Sequence, residues 1–184
     1  MESKRKSTIP VWSETMLQGL AYWMGYKRTL YRHHLLTEGA IVAEAVSLIH
    51  SNLKDPERVE CEVGYPKLGS LAGKTLADIV VFSDDQPTCV IEVKRGKASN
   101  SLIAADLQKL QAIKKINKSV RCFLLVASQG NLPTNYVDKQ TGEAKKGTYQ
   151  LDGIGFRIIR VCKAASSFKS LKSAHYACLL ELKG

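Results

Sequence analysis

Two acidic residues stand inside stretches that are otherwise apolar. Asp78 interrupts Leu76-Ala77 and Ile79-Val80-Val81-Phe82, and Glu92 interrupts Cys89-Val90-Ile91 and Val93. Burying an unpaired charge is expensive, so an acid in such a run needs a reason. Lys94 follows Glu92 by two residues, a spacing that sends both side chains to one face of a strand. If the two runs are neighbouring strands joined by the turn Asp84-Asp85-Gln86-Pro87, Asp78 and Glu92 converge on one cation, with Lys94 beside them. Two carboxylates and an ammonium suit metal-assisted phosphodiester hydrolysis. Mg²⁺ prefers oxygen and is held by one or two carboxylates plus water and substrate phosphate. It polarises a phosphoryl oxygen and acidifies water. Lys94 would orient or deprotonate the attacking water, or stabilise developing charge, and a base role requires a depressed pKa. A plain strand ion pair is the ordinary reading of a Glu-x-Lys triplet, but an Asp in a second apolar strand just upstream makes the pattern more specific.

The elements that must hold these residues are legible from pattern. Ser13 can cap a short helix ending near Gly25, and Tyr26–Leu36 continues it as an aromatic and basic arm. Thr37 caps a helix from Glu38 to about Asn52, with Ile41, Ala45, Leu48 and Ile49 at helical spacing. Strands are expected over Val59–Tyr65, Thr75–Phe82 and Thr88–Lys94. An amphipathic helix follows over Asn100–Ile116. Arg121–Ser128 is a continuous apolar run of the kind buried on both faces. Gln129–Gly155 is polar and glycine-rich, and a loop of that length is usually functional or contains its own hairpin. Phe156–Cys162 and His175–Leu182 read as strands around a short basic segment, Ser166–Ser173. The sum is a mixed α/β sheet with helices on its faces.

The chain has 184 residues, enough for one domain with a full core. Lys and Arg number 27 against 17 Asp and Glu, a net charge of +10. The excess is lopsided: residues 1–98 carry 13 basic and 12 acidic side chains, and residues 99–184 carry 14 and 5. A basic surplus of this kind points to a polyanionic partner. Five cysteines without a CxxC pair argue against zinc and against a disulfide framework. The absence of a signal-like apolar region and of a run long enough to span a bilayer predicts a cytoplasmic protein that does not enter the membrane. His33-His34 lacks a third ligand at useful spacing and receives no role.

Asp78 within Ala77-Asp78-Ile79-Val80-Val81, followed by Ile91-Glu92-Val93-Lys94, resembles the PD-(D/E)XK nuclease superfamily. The proline that usually precedes the Asp is Ala77 here. The similarity spans roughly residues 37–128, and the core is most like Holliday-junction resolvases and small restriction-type nucleases. It implies a restriction-endonuclease-like α/β fold, a mixed β-sheet flanked by helices, in a nuclease-like domain set over 37–184; the N-terminal helical arm over 1–36 is read from its residues and not from the resemblance. It implies Mg²⁺, with Mn²⁺ able to substitute, held by Asp78, Glu92 and Val93, the residue after Glu92. Family members often carry a Glu on the helix ahead of these strands. Glu38 lies on the core-facing stripe and is preferred to Glu44, although a helix N-terminus favours an acid there anyway. A helix Gln after the Glu-x-Lys strand also recurs, and Gln108 is preferred to Gln111. The expected catalytic set is therefore Glu38, Asp78, Glu92, Lys94 and Gln108.

The implied activity is a Mg²⁺-dependent endodeoxyribonuclease of defence, repair or recombination. The alternative is a non-catalytic nucleic-acid-binding or structural module on the same scaffold. The implied partner is nucleic acid, with DNA favoured over RNA, and a homodimer is compatible with the pattern. Lys109, Lys114, Lys115 and Lys118, on or just after the Asn100–Ile116 helix, and Lys139, Lys145 and Lys146, in the long loop, are the candidate phosphate contacts.

Overall fold

The computed structural model describes residues 9–30, 35–69, 75–164 and 174–183. Its elements are α1 (Val11–Leu30), α2 (Glu38–His50), β1 (Glu57–Gly64), β2 (Leu76–Ser83), β3 (Gln86–Arg95), α3 (Asn100–Ile116), β4 (Arg121–Ser128), β5 (Thr148–Leu151), β6 (Ile154–Lys163) and β7 (Tyr176–Leu182). A single 3₁₀ turn, Tyr65–Leu68, follows β1. The seven strands form one mixed sheet in the order β1-β2-β3-β4-β7-β6-β5. Every pair is antiparallel except β3–β4, which is parallel and is joined through α3. The Ser166–Ser173 segment and His33-His34 lie outside the described residues.

Helices cover both faces. On one, α3 lays Ile103, Leu107, Leu110 and Ile113 over Val90, Leu124, Val126 and Leu180. On the other, α1 and α2 pack Met16, Leu20, Ile41, Ala45 and Ile49 onto Ile79, Ile91, Phe123 and Leu179. With both faces covered, β4 is buried at seven of its eight positions and β7 throughout, as an apolar run without alternation requires. Cys89, Cys122 and Cys178 are buried among these strands and Cys61 is exposed; all five cysteines are free thiols.

Two stretches differ from the sequence reading. The short helix expected from Ser13 to Gly25 runs from Val11 to Leu30, and Ser13 donates its hydroxyl back to the carbonyl of Pro10 rather than capping. One glycine costs a helix about 1 kcal/mol and does not by itself stop it. Nor does α1 project as an arm: Trp12, Met16, Leu17, Leu20, Ala21 and Met24 are buried in the core shared with α2 and the sheet. The long loop is also more ordered than its composition suggests. Tyr136 and Val137 enter the core, Val137 bridges Ala144, and Asp138 accepts the N–H groups of Gln140 and Thr141. Thr148–Leu151 pairs with β6 around Asp152-Gly153, so the hairpin at the end of this stretch reaches past it into β6.

The packing of α1 can be checked directly. Leu20 is fully buried, so Leu20→Ala should cost about 2–5 kcal/mol in urea unfolding. A loss below about 0.5 kcal/mol, the usual effect of an unconstrained surface site, would mean that α1 is an appendage.

Candidate active site

The β2–β3 ladder runs from the turn at Asp84-Asp85 to its last pair, Ile79↔Ile91. Beyond it β3 continues alone along β4, pairing Glu92↔Leu124, Val93↔Leu125 and Lys94↔Val126. The two strands therefore fork, and Asp78 stands in the fork. Its Oδ2 accepts the main-chain N–H of Val93 at 2.6 Å, taking the place of the ladder bond that the fork removes. Opposite, on β1, Glu62 has a φ of +54°. Cys61↔Ile79 and Val63↔Ala77 flank this point in register. Ile79 faces the α1–α2 core, whereas Val63 and Ala77 face the α3 core, so both strands rotate here. A left-handed residue other than glycine costs of order 1–3 kcal/mol, and such strain concentrates where the surroundings hold a functional geometry. Past Lys94, Gly96 keeps the chain on β4: its N–H bonds the carbonyl of Ala127 at 2.8 Å. A Cβ on Gly96 would fall 2.4 Å from that of Ser128, so only glycine lets β3 end this close to β4.

Four of the five expected catalytic residues meet in this region. Thr37 caps α2 by accepting the N–H of Ala40, which places Glu38 in the first helical turn. From there Glu38 reaches the Lys94 ammonium at 3.0 Å. Glu92 is 1% exposed, and its Oε1 accepts the Tyr65 hydroxyl at 2.6 Å. Glu44 makes no described contact with the group. Gln108 is exposed and makes no hydrogen bond among the described residues. The helix position that enters the site is two residues earlier: Asp106, 2% exposed, lies 2.9 Å from Lys94 and 2.7 Å from Lys109. Residues two apart on a helix point about 200° away from each other, so 106 and 108 cannot both face the sheet. Lys109, expected to grip phosphate, turns inward to Asp106 and stands 3.9 Å from Glu92. Lys114 likewise donates to the carbonyls of Lys118 and Val120 at 2.8 and 2.7 Å. Lys115, Lys118, Lys139 and Lys146 are exposed, and Lys145 is half-buried.

The result is a chain of alternating charge, Glu38–Lys94–Asp106–Lys109–Glu92, with Asp78 beside it and Tyr65 at its end. Four acids and two lysines leave an acidic surplus at one place in a basic protein. Burial pushes the Glu92 carboxyl up to about 8; the Tyr65 hydrogen bond opposes this, and the charges on Asp78 and Asp106 reinforce it. Asp78 is also raised, mainly by burial, against the lowering effect of the Val93 N–H. Burial disfavours charge on Lys94, yet its bonds to Asp106 and Glu38 outweigh that and raise its pKa. Lys94 is therefore a fixed cation here and does not have the depressed pKa that a base role requires. Tyr65 is raised by burial and by Glu92, and so remains a donor.

A cleft of about 340 Å³ opens onto the group between Glu38, Lys94, Arg95, Lys97, Ala98 and Leu102. The sequence reading missed Asp106, Tyr65 and the rim cations Arg95 and Lys97. Asp106 carried the same signal as Glu38, an acid on an apolar helical stripe between Ile103 and Leu110; the burial of Tyr65 against Glu92 carried none. Among the described residues no group of three or more His, Cys, Asp or Glu stands at metal-ligand spacing. The donor set is nonetheless all oxygen, and two carboxylates with raised pKa are what a hard cation would relieve, so the residues fit Mg²⁺ completed by water and phosphate. Comparison with protein-family models, curated proteins and solved structures finds no match to this chain.

The Glu92 shift has a sign that stability can report. The unfolded side chain loses its proton near 4.5, whereas the folded one keeps it to about 8. Between these values the fold binds the extra proton, so wild-type stability should fall as pH rises. Gln has no such proton. In urea unfolding with EDTA, Glu92→Gln should gain on wild type steadily from pH 5 to pH 8. A constant gap between the two proteins would show that Glu92 is already ionised at neutral pH.

Proposed function

We propose that the chain is a Mg²⁺-dependent nuclease of the PD-(D/E)XK type on a restriction-endonuclease-like fold, with DNA as its favoured substrate. The observation that carries the reading is the convergence of Glu38, Asp78, Glu92 and Lys94 from α2, β2 and β3 at the strand fork, beside a cleft that Glu38 and Lys94 line together with Arg95 and Lys97. Asp78 and Glu92, with the main chain at Val93, would hold the cation. When bound, it would supply Lewis-acid polarisation of the phosphoryl oxygen and a more acidic water.

The remaining steps belong to the chain's own side chains. Lys94, kept charged by Glu38 and Asp106, is placed to stabilise negative charge that develops on the phosphate. Glu38, whose side chain is 39% exposed, would orient water and accept its proton. Tyr65 and Lys109 fix Glu92, and Asp106 fixes both lysines; these are positioning residues. The alternative, a nucleic-acid-binding module that does not cleave, is favoured by one observation: both lysines are already neutralised by acids of the site.

Incubation with linear, circular, single-stranded and branched DNA and with RNA, in Mg²⁺, Mn²⁺ or EDTA, separates the two. The nuclease reading requires metal-dependent cleavage that Asp78→Ala, Glu92→Ala and Lys94→Ala each reduce by at least about 100-fold. Lys94→Ala should still bind Mn²⁺ by calorimetry, since an ammonium is not a ligand. Glu38→Gln should lose more rate than Glu44→Gln. Binding without cleavage under every metal condition would favour the module.

A further inference from the structure

A second, wider concavity lies away from the strand fork. A groove of about 830 Å³ lies between the last turns of α3 and the ends of β6 and β7. Lys114, Lys115 and Lys118 line it from the end of α3, and Arg157, Leu182 and Lys183 line it from the sheet. Among the described residues Glu181 is the only acid in its lining, so five cations meet one carboxylate. That carboxylate is shared: Arg121 bonds it at 2.7 Å and Arg157 at 2.6 Å, so the ion cluster keeps a positive charge. Several of the cations are held in place. Lys114 is anchored by two main-chain carbonyls and Lys183 by the Thr148 hydroxyl at 2.6 Å.

We infer that this groove is a second anion site that grips the phosphodiester backbone of duplex nucleic acid away from the fork. The inference rests on the nucleic-acid reading above and adds a place for the grip. Cations lining a groove from both helix and sheet suit a repeating polyanion better than one phosphate, which would be ringed by converging donors. The spacing suits it too. Arg121 opens β4, and Val126, five residues on, is paired with Lys94. Five strand residues cover about 17 Å, or about five base pairs of duplex. One duplex of about 20 base pairs is therefore long enough to meet both places.

The test is equilibrium binding of a labelled duplex of about 20 base pairs in EDTA, where nothing is cut, across a salt series. Lys115→Glu/Lys118→Glu changes two exposed side chains of the groove. Lys54→Glu/Lys67→Glu makes the same change in net charge at two exposed positions elsewhere. The groove variant should lose at least about tenfold in affinity near 0.1 M salt, and its slope against log salt should flatten by about 2, at roughly 0.9 per phosphate contact. The control should lose less than about threefold. Circular dichroism melts establish that both variants are folded. Equal losses in the two variants would reduce the effect to net charge and overturn the groove. An unchanged groove variant beside a wild type that binds would overturn it too, while leaving the nuclease reading intact. A wild type that binds no duplex even at low salt would remove both.

Discussion

The Lys94 ammonium, shared by Glu38 and Asp106, ties together elements that otherwise lie on opposite faces of the sheet. Glu38 comes from α2 on one side and Asp106 from α3 on the other. Lys94 reaches both because it sits at the end of β3, where the sheet stops and the two helical layers can meet around its edge. Asp106 is almost wholly enclosed, and the Lys94 side chain is only 14% exposed. Removing one partner of a buried ion pair typically costs about 3–5 kcal/mol, because the other is left charged and unpaired. The arrangement is thus rigid for the same reason that it is expensive. It also fixes the protonation state of the lysine, which narrows its chemistry to that of a cation.

The fork itself follows from backbone accounting. Where β2 and β3 part, the N–H of Val93 would lose its ladder partner, and buried N–H groups are rarely left alone. The Asp78 carboxylate takes that bond, so the residue that the sequence marks as out of place in an apolar strand is also what allows the strands to separate. The rotation at Glu62 and the close approach of Gly96 to Ser128 hold the two sides of the opening. Fold and site are in this sense one construction.

Much of this was written in local pattern. The bounds of α3 and β4, the Thr37 cap and the hairpin at Asp84-Asp85 follow from periodicity, capping and turn chemistry, which act within a few residues. Asp78, Glu92 and Lys94 were legible because polar residues in apolar strands carry their own signal. Gln108 was drawn from resemblance and is exposed, whereas Asp106, on the apolar stripe of the same helix, is the residue that meets Lys94 and Lys109. Tyr65 and the inward turn of Lys109 depend on which elements pack together, and no spacing along the chain encodes that. The same holds for α1. A glycine and a run of basic residues read as a helix end and an arm, yet the burial of Trp12 through Met24 against β6, β7 and α2 outweighs both.

The distribution of charge now has a physical logic. A site with four acids repels phosphate unless cations compensate, and the two lysines nearest to it are consumed by its own carboxylates. Lys94 and Lys109 cannot hold the acids in place and at the same time be free to capture a polyanion from solution. In the proposed nuclease, attraction must come from cations that owe nothing to the site: Arg95 and Lys97 at its rim, and the basic groove beyond α3. That division accounts for the lopsided sequence, near neutral up to residue 98 and strongly basic after it. The first part carries Glu38, Asp78 and Glu92. The second contributes one acid to the group, Asp106, and spends most of its lysines and arginines outside it. Long-range attraction between a basic surface and a polyanion is screened within about 10 Å at 0.1 M salt. Cations spread over more than that distance therefore act as successive local contacts along a strand, and the acidic fork can sit among them without cancelling the attraction of the whole.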